Sequence, residues 1–185
     1  LLVLDFETTG FQHQPWSRAI ELAAVVLDPT GHEVATFESL ILPDILDGRA
    51  AGALAVNHIT RDMLATAPRT EAVAARFHEW YDGLTEACGG RGPYCTSFNI
   101  PFDRVFAERM GLSVRGWASC VMERAMNVMG PAGVLRPGRY GQPWLYPKLS
   151  VAAEFFDVAV VGDAHRALTD TRTASGIAKA IASRA

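Results

Sequence analysis

At 185 residues, with 49% hydrophobic and 20% charged residues, the chain has the length for one domain with a real core and is too apolar to be disordered. A net charge of −3 and a pI near 5.9 exclude a bulk polycation of the kind that coats nucleic acid, and no apolar run reaches membrane-spanning length. The three cysteines, Cys88, Cys95 and Cys120, are odd in number and lack C-x-x-C spacing. They are expected to pack as small apolar side chains in a reducing compartment, and a cytoplasmic location follows. The chain opens at Leu1 directly on a strand, as expected of a domain excised from a longer protein, and residues 1–185 read as that single domain.

The first third predicts three strands: LLVLDF from residue 1, RAIELAAVVLD from residue 18 and EVATFESLIL from residue 33. DPTG supplies turn chemistry for a hairpin between the second and third. Residues 70–87 then change to helical spacing, with Val73, Phe77, Trp80, Tyr81 and Leu84 on one face and Thr70 as the expected N-cap. A fourth strand is predicted at GPYCTSF, and a helix at IPFDRVFAERMG, closed by Gly111. CVMERAMNVM predicts another helix. Residues 130–148 form a Gly- and Pro-rich loop, and LSVAAEFFDV and HRALTDTRTASGIAKAIAS predict the last two helices. The pattern is a mixed α/β sheet covered by helices.

The acids in these elements are unevenly placed. Side chains alternate along a strand, so Asp5 and Glu7 project from the same face at the end of an otherwise apolar segment. Two like charges in a strand buried on both faces repel each other and resist desolvation, so a salt bridge or a bound cation must offset them. Asp103 sits just inside the helix that starts around Pro101, where it either complements the helix dipole or turns inward. On the last helix Ala167, Thr171, Ala174, Ala178 and Ile181 define the apolar stripe, and Asp170 lies at that stripe's edge. His165, five residues before Asp170, is placed to face the same cavity.

Four acids and one histidine are what hydrolysis of a phosphodiester needs. Two divalent ions about 4 Å apart, held by shared carboxylates, bind an attacking water and a leaving oxygen together. All-oxygen ligation favours Mg²⁺ or Mn²⁺ over Zn²⁺, and His165 is then the base that takes the proton of the attacking water.

DFETTG, NIPFD and HRALTD, in that order, resemble the three motifs of the DEDDh (DnaQ-like) 3′→5′ exonucleases, the group of the DNA polymerase III epsilon proofreading subunit, ribonuclease T and oligoribonuclease. The likeness runs from Leu1 to about Ala182. It implies a ribonuclease-H-like fold with a mixed five-stranded sheet flanked by helices. It also implies that Asp5, Glu7, Asp103 and Asp170 are metal ligands for two Mg²⁺ or Mn²⁺ ions, and that His165 is the general base. Asn99, before Phe-Asp, is implied to orient the site. Thr8, Thr9 and Gly10 are implied to meet the terminal nucleotide. His58, Ile59 and Thr60 lie in a segment, NHIT, similar to one whose apolar residue wedges against terminal bases, and Phe102 is a further stacking candidate. The chain departs from the family pattern at Phe98, where many relatives carry His, and at Asn57-His58, where His-Gly is commoner. Arg136, Arg139, Tyr140, Trp144 and Lys148 belong either to a single-strand path or to a solvated loop anchored by its aromatics.

The expected activity is release of nucleoside 5′-monophosphates from a single-stranded 3′ end, of DNA before RNA, with a polymerase or repair protein as partner and no membrane. An exoribonuclease is the alternative within enzymes. A catalytically silent module that binds nucleic-acid ends is the alternative outside them, and it has no need of His165.

Overall fold

The computed structural model describes residues 1–139 and 141–184. Strand β1 (Leu2–Thr8) lies antiparallel to β2 (Ala19–Leu27) and parallel to β4 (Cys95–Thr96), and β2 pairs with the edge strand β3 (Glu33–Leu40), in the order β3-β2-β1-β4. All nine residues of β2 are buried, since it has a strand on each side and helices over both faces. The turn before β3 is held by the Asp28 carboxylate, which accepts hydrogen bonds from the backbone N–H of Thr30 and of His32.

The expected fifth strand is not formed among the described residues. Trp117 makes a single parallel bridge to Cys95, with Cys95 N–H donating to Gly116 O and Ala118 N–H to Cys95 O. The ladder stops there because β4 is only two residues long: the chain leaves the sheet after Thr96 and enters a helix at Ile100. The fourth strand is accordingly shorter than its apolar run predicts.

The two faces of the sheet have separate cores. Leu2, Leu4 and Phe6 of β1 pack with Val73, Phe77 and Tyr81 of helix α3 (Thr70–Ala87) and with Phe106 of α4 (Ile100–Arg109). Val3 faces the other way, onto Ala174 of α7 (Ala167–Ala182). Behind α7 lie α5 (Val121–Met129) and α6 (Leu149–Phe155), sharing a core of Ala125, Met129, Ala153, Phe156 and Ile177. The predicted α7 stripe is buried throughout, and its small Ala and Thr side chains bring the helix close enough for the Thr171 hydroxyl to donate to Ala23 O of β2.

Two short helices, α1 (Ala51–Asn57) and α2 (Arg61–Ala65), lack an apolar period and were not foreseen; α1 buries only Asn57. Thr70 is not a cap but the first residue of α3, and Arg69 at the N-cap makes no side-chain capping bond. Cys95 and Cys120 are buried as expected, whereas Cys88, at the C-terminus of α3, is exposed. The 130–148 loop folds back on itself through Leu145 N–H to Arg136 O and Gly138 N–H to Pro143 O. The Trp144 indole lies so close over Gly130 that a Cβ there would come within 2.1 Å of its Cδ1. Trp144 thus anchors the loop, and Arg136, Arg139 and Lys148 are exposed; Tyr140 lies outside the described residues. Among the described residues no helix is long and apolar enough to cross a membrane.

Candidate active site

Strand alternation sends Val3, Asp5 and Glu7 toward α7, so the two acids of β1 meet the first turn of that helix. Ligating atoms of Glu7, His165 and Asp170 all lie within 4.8 Å of one another. Asp103 reaches the same place from the first turn of α4, whose start is shaped by Pro101 and by Asn99 O, the acceptor for Phe102 and Asp103 N–H. The Asp103 side chain is 2% exposed and its Oδ1 has no hydrogen-bond partner. Its inward orientation outweighs any service to the helix dipole, since burial lifts its pKa from 3.8 to about 7.

The other acids respond in the same direction. Burial, followed by the charges of Asp103 and Glu7, pushes Asp5 well above the ordinary carboxylate range. Burial and then Asp170 push Glu7 up to about 8. Asp170 is raised by burial, an effect opposed by the neighbouring His165. Among the described residues no lysine or arginine pairs with any of the four. Four converging carboxylates, one with a buried and unpartnered oxygen, form a donor set that fits hard divalent cations such as Mg²⁺ or Mn²⁺.

His165 precedes α7, is exposed, and has the left-handed backbone angle φ 60. A fifth acid lies behind it. Glu21 of β2 sits opposite Glu7 in the β1–β2 register and is 1% exposed. Its carboxylate accepts from Arg166 Nη2 at 2.5 Å, from Arg166 Nε at 3.1 Å and from Ala167 N–H at 2.9 Å. Sequence reasoning missed Glu21, because within its strand it is one polar residue in an apolar run and its partners lie 145 and 146 positions away.

The substrate-contact expectations divide. Thr8 Oγ1 donates to Gly10 O, and Thr9 Oγ1 accepts from Arg18 N–H, so both hydroxyls already shape the turn after β1. A Cβ at Gly10 would come within 2.3 Å of Gln14 Oε1, which explains a glycine there. Ile59 cannot act as a wedge: it is 1% exposed and packs with Ile20 and Leu64. Thr60 is the N-cap of α2, its side chain accepting from Met63 N–H. His58 is exposed at φ 57, the left-handed conformation that suits the glycine commoner at this position. Asn57, buried beside it, donates from Nδ2 to Thr8 O at 3.5 Å and accepts from Ile59 N–H, tying this segment to the end of β1 beside Glu7. Phe98, in place of the commoner His, packs between two apolar clusters.

A cavity of about 400 Å³ opens next to Glu7, walled by Phe11, Trp16, Arg49, Val56 and Phe102. Its apolar residues from the 51–60 segment are Ala53 and the exposed Val56, three positions before Ile59. Arg49 lies over the Trp16 ring, 5.0 Å from the centroid, and Phe102 rests on Phe106. Phe102 was foreseen here. Phe11, Trp16 and Val56 were not, since the first two are lone apolar residues in a loop and Val56 sits on the short helix α1, which lacks an apolar period.

Comparison with known proteins agrees with this geometry. The family model RNase_T, described as an exonuclease, matches residues 2–178. A DNA polymerase III subunit epsilon-like protein of Rhodobacter capsulatus is 33% identical over 117 residues, 61% of this chain and 15% of that protein. DNA polymerase III PolC-type of Staphylococcus aureus is 29% identical over 180 residues, 95% of this chain and 11% of its own length. The chain thus spans under a sixth of either relative. Among solved structures, exonuclease X in complex with 5′ overhanging duplex DNA superposes with a TM-score of 0.69 at 22% identity, covering 100% of this chain and 92% of that one. The nuclease domain of 3′hExo, a DEDDh family member bound to rAMP, gives 0.70 at 18% identity, covering 99% and 91%. These likenesses identify the fold as the DnaQ-like, ribonuclease-H-like exonuclease fold.

Proposed function

The chain belongs to the RNase_T exonuclease family and is a hydrolytic nuclease domain, and on that footing we propose that it removes nucleotides one at a time from the 3′ end of single-stranded nucleic acid, DNA before RNA. The observation that carries this reading is the convergence of Glu7, Asp170 and His165 within 4.8 Å, beside the buried acids Asp5 and Asp103. A nuclease that cut phosphodiesters without cations would have no use for four carboxylates facing one phosphate, because they repel it. Asp5, Glu7, Asp103 and Asp170 would instead hold two divalent cations, Mg²⁺ or Mn²⁺, which when bound supply Lewis acidity at the scissile phosphate.

The residues of the chain do the rest. His165, exposed at the mouth of the cluster, accepts the proton of the attacking water at an imidazole nitrogen. Asn57 holds the end of β1, next to Glu7, by donating to Thr8 O. The cavity walled by Phe11, Trp16, Val56 and Phe102 receives the terminal base by stacking, which is tolerant of base identity. Thr8, Thr9 and Gly10 line the same cavity with backbone atoms that can meet the terminal sugar. The PolC-type and epsilon-like relatives support a place in a longer polymerase or repair protein. Residues 1–185 are proposed as a single exonuclease domain that works in the cytoplasm.

The test is digestion of matched 5′-labelled single-stranded DNA and RNA with Mg²⁺ or Mn²⁺, alongside an Asp103→Ala control. A ladder shortening from the 3′ end, faster on DNA and absent in the control, is the expected result. Faster loss of RNA would make the chain an exoribonuclease. Intact substrate in every lane would reduce it to an end-binding module.

A further inference from the structure

We propose that Glu21 and Arg166 form a positioning clamp that holds His165 and Asp170 against Glu7, so that turnover depends on two residues that touch neither substrate nor the reacting phosphate. This inference rests on the exonuclease reading of the site.

Helix α7 begins without a side-chain cap of its own: Arg166 occupies the N-cap position in an extended conformation and makes no capping bond. The missing cap comes from another element. Glu21 of β2 accepts Ala167 N–H at 2.9 Å, and its negative charge meets the positive end of a 16-residue helix. The same carboxylate takes the Arg166 guanidinium through Nε and Nη2, the forked geometry that fixes both position and rotation. Three donors converge on one buried carboxylate, which has no freedom left to serve as a metal ligand.

The location gives the clamp its effect. Glu21 is opposite Glu7 in the strand register, so the anchor point and one catalytic acid belong to the same pair of strands. Arg166 is the next residue after His165, and Asp170 lies one helical turn further on, with Asp170 N–H donating to Arg166 O. His165 is held at φ 60, a left-handed conformation uncommon outside glycine. Val158 packing on Gly176 secures the far end of the preceding loop. At the near end the clamp imposes the turn together with Gly162, whose backbone packs against Thr169 in the first turn of α7.

A buried ion pair stabilises little by itself and could be replaced by apolar side chains at no loss of stability. Keeping one at this point is explained by geometry: a displacement of about 1 Å between base and acid costs on the order of 100-fold in rate.

The experiment is a double-mutant cycle of Glu21→Gln and Arg166→Gln, read by steady-state exonuclease kinetics and by histidine NMR of isotope-labelled protein, with the His165 signal assigned from a His165→Asn sample. The clamp predicts that each single variant lowers kcat by about 10- to 100-fold with KM unchanged, and that the double variant is no worse than either single. The His165 signal should shift and broaden alike in all three. Arg166→Lys keeps the charge without the fork and should fold as wild type with an intermediate kcat, so the clamp is decided even if a Gln variant is unstable. A raised KM in Arg166→Gln alone would make Arg166 a phosphate contact and overturn the clamp. Multiplicative losses in the double variant, or a His165 signal that ignores Glu21→Gln, would overturn it as well. Should wild-type protein release no nucleotide, the exonuclease reading fails, and the NMR arm still decides whether Glu21 and Arg166 position His165.

Discussion

Replacing Asp103 by Asn removes a charge from the centre of the site without changing its shape. In protein freed of divalent ions the Asp103 carboxyl is buried, its Oδ1 lacks a partner, and burial carries its pKa from 3.8 up to about 7. Folded protein therefore retains a proton that the unfolded chain gives up between those values. The stability tied to that proton is complete below pH 3.8 and is lost as pH rises through about 7. Between pH 5 and 8.5 about two units of that interval remain to be crossed, worth about 3 kcal/mol. For a chain of this size that moves the Tm by about 6–12 °C. Circular dichroism melts in EDTA at pH 5 and pH 8.5 measure it directly: the advantage of Asp103→Asn over wild type should widen by that amount at the higher pH. Saturating Mn²⁺ should then narrow or reverse the gap, because only wild type gains full binding energy. If the two proteins melt in parallel at both pH values, Asp103 is not a buried carboxyl with a raised pKa, and the electrostatic account of the site fails.

His165→Ala should lose most of the rate while Mn²⁺ affinity, followed by titration calorimetry, stays near wild type; a loss of affinity as large as that of an Asp substitution would make His165 a ligand instead. Trp16→Ala removes a wall of the cavity beside Glu7 and should raise KM for single-stranded oligonucleotides several-fold, since a base stacked on an aromatic is worth about 1–3 kcal/mol. Unchanged KM would move the terminal base elsewhere. Gly130→Ala drives a methyl into the Trp144 indole and should cost about 1–3 kcal/mol in urea unfolding. It should also speed tryptic cleavage after Arg139 (Arg136 precedes Pro137 and is resistant), and an equal cleavage rate would show that Trp144 does not anchor the loop.

The sequence by itself determined the parts whose signals are local. Alternation in LLVLDFET placed Asp5 and Glu7 on one face, Pro101 marked the helix start that carries Asp103, and the Ala-Thr-Ala stripe of α7 set the edge on which Asp170 lies. Three short motifs in order sufficed to name the family. Only the tertiary structure decided what those faces meet. Glu21 reads in sequence as an accident in an apolar strand, and becomes the anchor of α7 only when residues 145 positions away arrive beside it. Ile59 and Val56 are equally apolar in sequence, yet one fills the core behind β2 and the other lines the cavity beside Glu7. Among the described residues the fifth strand reduces to one bridge because β4 ends after two residues and the chain turns into α4 at Ile100. Periodicity reports which way a side chain points. Its partner is chosen by packing between elements distant in the chain, and that choice separates an idle buried acid from one that holds an active site in place.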